Sequence, residues 1–419
     1  MLKQEENELV TRVGPGSPMG HTMRRYWMPA LLSSELPRPD SDPVRVRLLG
    51  EDLIAFRDTN GAIGLVHNNC PHRGASLFFG RNEEQGLRCV YHGWKFDVTG
   101  QCVDMPNEPA ESDFKNKVRA QAYPTTEKAG LIWAFMGPAE KQPPLPDLEW
   151  MRAPAGHAWI SKTYQECNYL QAMEGGLDTS HSTFLHRDLS TEGLSNPRVR
   201  GTAPRLEVLN TDYGYMYASI RHLPQDKQNY VRVYHYMMPF YQLRAGGAPN
   251  TAGNTDGHIW VPIDDTTCWT YNFHLSHEKP LAYEDWQRYE HRMGRGIAED
   301  FIPGTFKLKT NARNDYGLSR ERQKTVNYTG IAGTNTQDFA VQESMGAIYD
   351  RTKEHLGSAD TAIIQMRRLL LQAVSDVDAG EDPVGSQGQG SNVRPAQMYL
   401  PEDAQWAETQ LKEALVARF

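Results

Sequence analysis

Two short pairs of cysteine and histidine constrain this chain more than any other feature of its sequence. Cys70 and His72 are separated by one residue and Cys89 and His92 by two, with sixteen residues between His72 and Cys89. Thiolate and imidazole groups are metal ligands, and two such pairs on two loops can close around one metal centre. Residues 70–92 are therefore predicted to fold as two loops that face each other.

Two kinds of centre accept two cysteines and two histidines. One is tetrahedral zinc, whose ligands are commonly paired as C-x2–4-C and H-x3–5-H. The other is a Rieske [2Fe–2S] cluster, in which two thiolates hold one iron and two imidazoles hold the second. Each pair here mixes cysteine with histidine, which resembles the C-x-H…C-x2-H motif of the Rieske family, with Gly74 and Gly93 where its loops turn. The resemblance favours the cluster and leaves zinc as the alternative.

Composition and charge argue against several classes of protein. The 419 residues carry a net charge of −8 and no long basic run, so nucleic acid is not an expected partner. The first residues are polar, and no apolar run approaches the roughly 18–20 residues that span a membrane. The five cysteines are odd in number and sparse, so we expect reduced thiols or metal ligands in a cytoplasmic protein. Three of them are expected to be small buried thiols: Cys102, Cys167 and Cys268.

The first third of the chain is predicted to be all-β. Strands are expected at 44–49, 52–57, 63–67 and 130–136. Asn60-Gly61 is a strong hairpin signal between the second and third strands, and the proline-rich stretch at 138–154 is typical of a linker. We predict an N-terminal helical segment at 1–25 packing on the C-terminal domain, an all-β domain at 26–140, a linker at 141–155 and a C-terminal domain at 156–419.

The remainder of the chain mixes strands with helices. Strands are predicted at 206–209, 213–221, 230–237, 258–263 and 268–274, and helices at 166–180, 283–293, 338–356, 361–373 and 401–417. Residues 264–267 are expected to turn the last two strands into a hairpin, and 376–395 to form an exposed loop. Clustered antiparallel strands with helices outside favour an α+β fold, with a central antiparallel sheet flanked by helices.

A second concentration of ligand-type side chains lies at residues 174–186. Glu174, Asp178 and His181 are spaced i, i+4 and i+7, which places them on one face of a helix, and the five-residue step to His186 predicts a break. Two histidines and a carboxylate form the facial triad that holds Fe(II) and leaves positions open for O2. Asp178 is spaced to accept the second N–H of His181 and fix its tautomer. The alternative is a polar helix face with incidental histidines.

The two motifs together carry a family resemblance. Residues 174–186 resemble the acid-x3-Asp-x2-His-x4-His motif of Rieske non-haem iron aromatic-ring oxygenases, and residues 89–97 and 342–351 are similar to the phthalate dioxygenase group. The resemblance implies an oxygenase component, or alpha subunit, with a helix-grip, START-like catalytic domain. It implies one Rieske [2Fe–2S] cluster and one mononuclear Fe(II) per subunit, the iron being bound by His181 and His186.

The resemblance also assigns an electron path and a third iron ligand. In the family the aspartate at the position of Asp178 bridges to a cluster histidine of a neighbouring subunit, which implies a homo-oligomer, either trimer or hexamer. The third ligand comes from far downstream near the start of a helix, where Asp338 is the first choice and Glu343 and Asp350 are weaker candidates. The alternative is that Asp338 caps that helix.

The implied reaction uses O2 and an aromatic acid. This chain has no Gly-rich dinucleotide motif, so electrons from NADH must arrive through a separate flavin and iron–sulfur reductase. An acid substrate needs a cation, preferably arginine. Arg244 is the first choice among Arg205, Arg232 and Arg244, which lie in or beside predicted strands.

The same motifs fit more than one outcome. The chain is expected to dihydroxylate an aromatic carboxylate such as phthalate, or to act as an O-demethylase or other monooxygenase on a methoxylated or aryl-ether acid. Outside this class stand a zinc-stabilised binding protein and a simple Rieske electron carrier. A carrier needs no second metal site, so His181 and His186 argue against it.

Overall fold

The chain divides into two compact units. The computed structural model describes residues 1–109, 111–201, 203–251 and 253–419. The smaller unit is Val13–Pro143, and the larger unit combines Met1–Arg12 with Pro144–Phe419. The first helix, α1 (Gln4–Thr11), belongs to the larger unit, whereas the second, α2 (Pro18–Met23), belongs to the smaller one.

Hydrogen bonds explain why the N-terminal segment splits at residue 13 instead of staying together to residue 25. In the larger unit the carbonyl of Thr11 accepts a hydrogen bond from Asn168 Nδ2 at 2.9 Å, and Asn7 donates to the carbonyl of Tyr349 at 3.2 Å. In the smaller unit Arg24, just after α2, forms an ion pair with Glu51 at 2.6 Å. Each half of the segment is thus held by polar contacts within its own unit.

The smaller unit is built from short antiparallel strands. They are β1 (Trp27–Leu32), β2 (Val44–Leu48), β3 (Glu51–Arg57), β4 (Ile63–His67), β5 (Arg81–Glu83), β6 (Gly86–Arg88), β7 (Lys95–Phe96), β8 (Cys102–Asp104), β9 (Thr125–Lys128) and β10 (Leu131–Phe135). They form three sheets, ordered β1-β10-β9, β2-β3-β4 and β5-β6-β7-β8. Gly61, at φ +86°, supplies the predicted turn between β3 and β4. The all-β prediction for this part of the chain is confirmed.

The larger unit is α+β, as predicted. Its remaining helices are α3 (Glu149–Arg152), α4 (Tyr169–Leu177), α5 (Thr191–Ser195), α6 (Pro197–Arg200), α7 (Tyr283–Met293), α8 (Arg320–Thr325), α9 (Thr334–Glu343), α10 (Thr361–Asp378) and α11 (Leu411–Ala414). Its strands are β11 (Ala158–Gln165), β12 (Arg205–Thr211), β13 (Gly214–Leu223), β14 (Gln228–Met237), β15 (Tyr241–Gly246), β16 (Asn254–Pro262), β17 (Cys268–Ser276) and β18 (Ala396–Pro401).

One antiparallel sheet organises this unit. The strand order is β11-β17-β16-β15-β14-β13-β12, and β18 pairs with β14 beyond the end of the short β15. The hairpin between β16 and β17 forms where predicted, because Asp264 Oδ1 accepts hydrogen bonds from the backbone amides of Thr266 and Thr267. Helix α4 packs closely on β16. A Cβ on Gly176 would lie 2.2 Å from the Trp260 ring, so only glycine permits this approach.

Three helix predictions are wrong in extent. The helix expected at 166–180 ends at Leu177, and the one expected at 338–356 runs instead from Thr334 to Glu343. Gly346, at φ +91°, lies in the turn that follows α9. The helix expected at 401–417 is mostly absent. Residues 396–401 pair as β18, and Trp406 is buried in the core that β18 covers. A 3-10 turn, Trp406–Glu408, and the single α-helical turn α11 are what remains helical.

None of the helices in the described part of the chain is long and apolar enough to cross a membrane. The three remaining cysteines, Cys102, Cys167 and Cys268, are free and buried, as predicted.

Candidate functional site

The two cysteine–histidine pairs of the smaller unit lie on loops of the same construction. In the first loop the amide of Cys70 donates to the carbonyl of Ala75, and the amide of Gly74 donates to the carbonyl of Cys70. In the second loop the amide of Cys89 donates to the carbonyl of Trp94, and the amide of Gly93 donates to the carbonyl of Cys89. All four distances are 2.8 or 2.9 Å. Gly74 and Gly93 have φ of +77° and +79°, so both glycines are required by the turn itself.

The four ligand-type side chains of these loops converge. Cys70 and Cys89 are buried in the same apolar core, and the His72 and His92 rings lie 4.4 Å apart. Burial, with the neighbouring Cys89 thiol, raises the pKa of Cys70 to about 12. Nδ1 of His92 is buried without a hydrogen-bond partner in the described part of the chain. A buried nitrogen with no partner, on a ring 4.4 Å from a second imidazole, fits a metal or cluster ligand.

Neighbouring side chains brace the second loop. Arg88 donates to the carbonyl of Gly93 at 2.8 Å and pairs with Asp104 at 2.7 Å. The Trp94 ring stacks on His72 at 4.2 Å and donates through Nε1 to Asn107 at 2.7 Å. The loops are therefore held in place before any metal enters.

In the larger unit, α4 ends immediately before the second motif. Asp178 is the residue after the last helical turn and has extended backbone angles, so it does not share a helical face with Glu174 and His181 as the spacing predicted. Its carboxylate accepts hydrogen bonds from the amides of Ser180, at 2.7 Å, and His181, at 3.2 Å. A short 3-10 turn, His181–Thr183, follows, and this is the predicted break before His186.

Three predicted ligands come together at this point. Nε2 of His181 lies 3.1 Å from Nε2 of His186. Oδ1 of Asp338 lies 3.1 Å from Nε2 of His186 and 3.7 Å from Nε2 of His181. Asp338 lies in the second turn of α9, whose N-cap is Gly333, so the interpretation of Asp338 as a helix cap is wrong. His181, His186 and Asp338 lie close enough together to hold a metal ion.

Hydrogen bonds on the far side of each imidazole settle its tautomer. Nδ1 of His181 faces the Asp178 carboxylate at 3.4 Å, and a carboxylate only accepts, so this nitrogen carries the proton. Nδ1 of His186 faces Oε1 of Gln337 at 2.7 Å. The Gln337 amide is oriented because its Nε2 donates to the carbonyl of Ile331 at 3.0 Å.

The Nε2 atoms of His181 and His186 therefore carry no proton. Their lone pairs converge on each other and on a carboxylate oxygen, an arrangement that repels itself unless a cation lies between them. Two neutral imidazoles and one carboxylate form the donor set that suits non-haem Fe(II). Gln337 was not predicted from the sequence, although its position directly before Asp338 and the need of a ligating histidine for a second partner could have indicated it.

The weaker ligand candidates lie elsewhere. Glu343 accepts hydrogen bonds from the amide of Glu166, at 3.0 Å, and from the Tyr316 hydroxyl. Asp350 accepts from Thr352 and pairs with Lys353. Glu174 is buried between Arg351 and Arg367, with its carboxylate 2.8 and 2.7 Å from their nitrogens, so it serves the packing of the unit and not the metal.

A cavity of about 420 Å³ opens beside the three ligands. Its sheet wall consists of side chains at alternate positions of β14, β15 and β16, which point to one face of the sheet. Four arginines line it: Arg198, Arg232, Arg244 and Arg292. Arg205 is exposed and pairs with Glu207, so of the three predicted arginines only Arg232 and Arg244 reach the cavity.

The cavity wall is electropositive. Burial lowers the pKa of Arg198, and the nearby charges of Arg232 and Arg244 lower it further. Asp256 also lines the cavity. Although burial opposes it, hydrogen bonding from His274 and the charge of Arg244 hold the pKa of Asp256 well below its usual range. Its Oδ1 accepts from His274 at 2.7 Å and from Tyr289 at 3.1 Å.

Comparison with known proteins agrees with this geometry. A model of the Rieske [2Fe–2S] domain matches residues 26–124, and a model described as LigXa C-terminal domain like matches residues 134–417. The chain belongs to the Rieske non-haem iron oxygenases. This Rieske oxygenase is 38% identical over 429 residues to the phthalate 4,5-dioxygenase oxygenase subunit of Pseudomonas putida, covering 98% of this chain and 95% of the relative.

Two further relatives show the breadth of the family around it. The 3-chlorobenzoate-3,4-dioxygenase oxygenase subunit of Comamonas testosteroni is 37% identical, with 97% of each chain covered. The 5,5'-dehydrodivanillate O-demethylase oxygenase subunit of Sphingobium sp. (strain NBRC 103272 / SYK-6) is 34% identical, with 91% of this chain and 83% of the relative covered.

The solved structure of dicamba monooxygenase bound to dicamba shares the fold. Its TM-score is 0.60 at 19% identity, and the match covers 85% of this chain and 99% of that chain. Like other Rieske oxygenases, this chain is an enzyme whose N-terminal domain takes a [2Fe–2S] cluster and whose catalytic domain takes mononuclear iron. Oxygenase subunits of the family work with separate reductases and form oligomers.

Proposed function

We propose that this Rieske oxygenase dihydroxylates an aromatic carboxylate. The observation that carries the proposal is that one cavity holds both the ligand triad and a group of arginines. The guanidinium of Arg244 has no salt bridge or side-chain hydrogen bond to any residue the structure describes, and Asp256, its neighbour across the strands, is already engaged by His274 and Tyr289. A cavity-lining arginine whose guanidinium donates no hydrogen bond to a described side chain favours an anionic ligand that accepts from it.

Aromatic side chains in the cavity favour a substrate with an aromatic ring. Tyr234 and Trp260 line the cavity, and Arg232 donates to the carbonyl of Ala245 at 3.0 Å while lying 5.0 Å from the Tyr234 ring centroid. Aromatic rings in the wall, with arginines beside them, suit a ring that carries one acidic group. The two dioxygenase relatives described above are named for phthalate and 3-chlorobenzoate, both aromatic acids.

Each metal has proposed ligands. Cys70, His72, Cys89 and His92 hold the cluster, and His181, His186 and Asp338 hold the iron, which supplies O2 activation when bound. Arg244 holds the substrate carboxylate and orients the ring toward the triad. Asp178 keeps the proton on Nδ1 of His181, and Gln337 does the same for His186, so that both Nε2 atoms stay available.

Electron delivery follows the same assignment. We propose that Asp178 passes electrons toward the iron from the cluster of a neighbouring subunit in a homotrimer or hexamer. Its carboxylate contacts His181 directly, which supports this role. We propose that a separate flavin and iron–sulfur reductase supplies the electrons from NADH and that the protein is cytoplasmic.

Product analysis tests the reaction. Purified oxygenase, a phthalate-type reductase, NADH and O2 are incubated with aromatic acids and methoxylated aromatic acids, and products are identified by mass spectrometry and a formaldehyde assay. Gain of two oxygens and two hydrogens supports cis-dihydroxylation. Formaldehyde with a demethylated phenol would instead place this chain with its O-demethylase relative.

Arg244 gives a second test with a matched control. Arg244→Met should raise the KM for the aromatic acid roughly 10- to 100-fold, because a charge-assisted hydrogen bond is lost. Arg205→Met should leave KM unchanged, since Arg205 is exposed and outside the cavity. An equal effect of both variants would contradict the assignment of Arg244.

A further inference from the structure

His258 occupies the centre of the sheet wall of the cavity. It lies on β16 between Asp256 and Trp260, and all three point to the cavity because alternate residues of a strand share a face. Arg244 pairs with Asp256 across β15 and β16. His258 is therefore a diagonal neighbour of Arg244, and such neighbours lie about 7–8 Å apart. One aromatic ring with a substituent at each end can span this separation.

The tautomer of His258 is fixed by its neighbour on the adjacent strand. Nδ1 of His258 lies 2.8 Å from Oδ1 of Asn272, its partner across β16 and β17. The Asn272 amide is oriented because its Nδ2 lies 3.3 Å from the carbonyl of Thr270, which can only accept. Oδ1 must then accept from His258, so Nδ1 carries the proton and Nε2 carries a bare lone pair.

The surroundings keep this imidazole neutral. His258 is buried, and burial, with the charges of Arg244 and Arg295, lowers its pKa well below the usual range. Nε2 has no hydrogen-bond partner among the residues the structure describes, and the ring borders the cavity. A neutral nitrogen that only accepts is thus presented to the ligand beside a cluster of cations that only donate.

Resting on the proposed function of this cavity, we propose that His258 selects the ring substituent of the substrate. Arg244 holds the carboxylate, and Nε2 of His258 accepts a hydrogen bond from a hydroxyl group on the same ring. The preferred substrates are therefore hydroxylated aromatic carboxylates. A second carboxylate or a methoxy group offers only lone pairs, and these oppose the lone pair of Nε2.

Binding to the holoenzyme tests this selection independently of turnover. Dissociation constants are measured anaerobically by calorimetry for 3- and 4-hydroxybenzoate and for 3- and 4-methylbenzoate. Methyl matches hydroxyl in size and cannot donate a hydrogen bond. The wild type should bind the better hydroxybenzoate about tenfold more tightly than its methyl counterpart, as expected for one hydrogen bond to a buried acceptor. Isophthalate and 3-methoxybenzoate should bind more weakly than the hydroxybenzoate.

Two variants test whether the preference for a hydroxyl group depends on His258. His258→Phe keeps a ring and removes the acceptor, so the ratio of the two dissociation constants should fall to near one. His235→Phe is the matched control, since His235 is also buried but lies outside the cavity, with its nitrogens 2.8 Å from Tyr213 Oη and 3.0 Å from the carbonyl of Arg394. It should keep the tenfold ratio. Iron and cluster content are checked for each variant.

A third variant keeps the proposal testable if His258→Phe does not fold. Asn272→Leu leaves His258 in place but frees its tautomer, so the preference for hydroxyl should weaken and affinity for the methoxy compound should rise. Equal wild-type affinity for hydroxy and methyl compounds, or a preference that persists in His258→Phe, would overturn the role of His258 alone. If no aromatic carboxylate binds, the proposed function fails and the selection by His258 fails with it.

Discussion

Glu174→Gln is expected to destabilise the larger unit by about 3–5 kcal/mol, the cost of removing one partner from a buried ion pair. Glu174 accepts from Nε of Arg351 at 2.9 Å, from Nη2 of Arg351 at 2.8 Å and from Nε of Arg367 at 2.7 Å. Arg351 is 0% exposed and Arg367 4%. Arg367 also pairs with buried Glu354, so two carboxylates balance two guanidinium groups.

The substitution keeps the shape of the side chain and removes its charge. A glutamine amide would turn one N–H donor toward guanidinium groups that are themselves only donors, and one positive charge would stay buried without a partner. Urea unfolding followed by circular dichroism measures the loss. Glu8→Gln is the matched control because the pair Glu8–Arg12 is exposed, and its loss should cost below about 0.5 kcal/mol.

The pH dependence of the free energy of unfolding is a second test of the same ion-pair network. Burial works to raise the pKa of Glu174, but Arg351 and Arg367 outweigh it and lower the pKa below the ordinary 4.5. A depressed pKa contributes stability that is fully present above pH 4.5 and is lost as the pH falls through the folded-state value. The difference between wild type and Glu174→Gln should therefore be constant near neutrality and shrink in acid. A difference below about 1 kcal/mol at neutral pH, or one that grows in acid, would refute this reasoning.

Three further outcomes are expected. Gln337→Leu should weaken iron binding about 10- to 100-fold, because His186 loses the partner that fixes its tautomer, as measured by competition with a chelator. Gly93→Ala should lower cluster content, read from visible absorbance and acid-labile sulfide, more than Gly74→Ala does. Both glycines have positive φ, but a Cβ at Gly93 would lie 2.6 Å from a proline side chain, whereas at Gly74 the nearest atom is 3.9 Å away. Asp178→Asn should keep both metals, by elemental analysis, and lose turnover at least about 100-fold; normal turnover would contradict its bridging role.

Most of the proposed metal ligands could be picked out from the sequence because they cluster along the chain. Cys70 to His92 and Asp178 to His186 each lie within one short segment, so their spacing suggested two centres and the family resemblance favoured metals over the alternatives. Asp338 is distant in sequence and was found through the family motif. The expected helical face of Glu174, Asp178 and His181 failed because α4 ends at Leu177, and side-chain spacing does not show where a helix stops.

The cavity could not be predicted in the same way. Arg198, His258 and Trp260 come together only through strand register and the packing of short helices, and neither is encoded in a local pattern. The last segment failed for a related reason. Residues 401–417 have a helix-like apolar pattern, but pairing of β18 with β14 commits the preceding residues to the sheet. Tertiary contacts there outweigh local propensity.

The cavity has two walls of different origin. Helix α9 supplies Asp338, the Gln337 that orients His186, and the cavity-lining Asn335 and Gln342, so a shift of this helix moves the proposed iron site and the cavity together. The opposite wall, with Arg244 and its neighbours, belongs to strands that hold no metal ligand. Substitutions in the two walls should therefore have different effects. Libraries aimed at β14, β15 and β16 can change which molecule is accepted, while changes in α9 put the oxidising centre itself at risk.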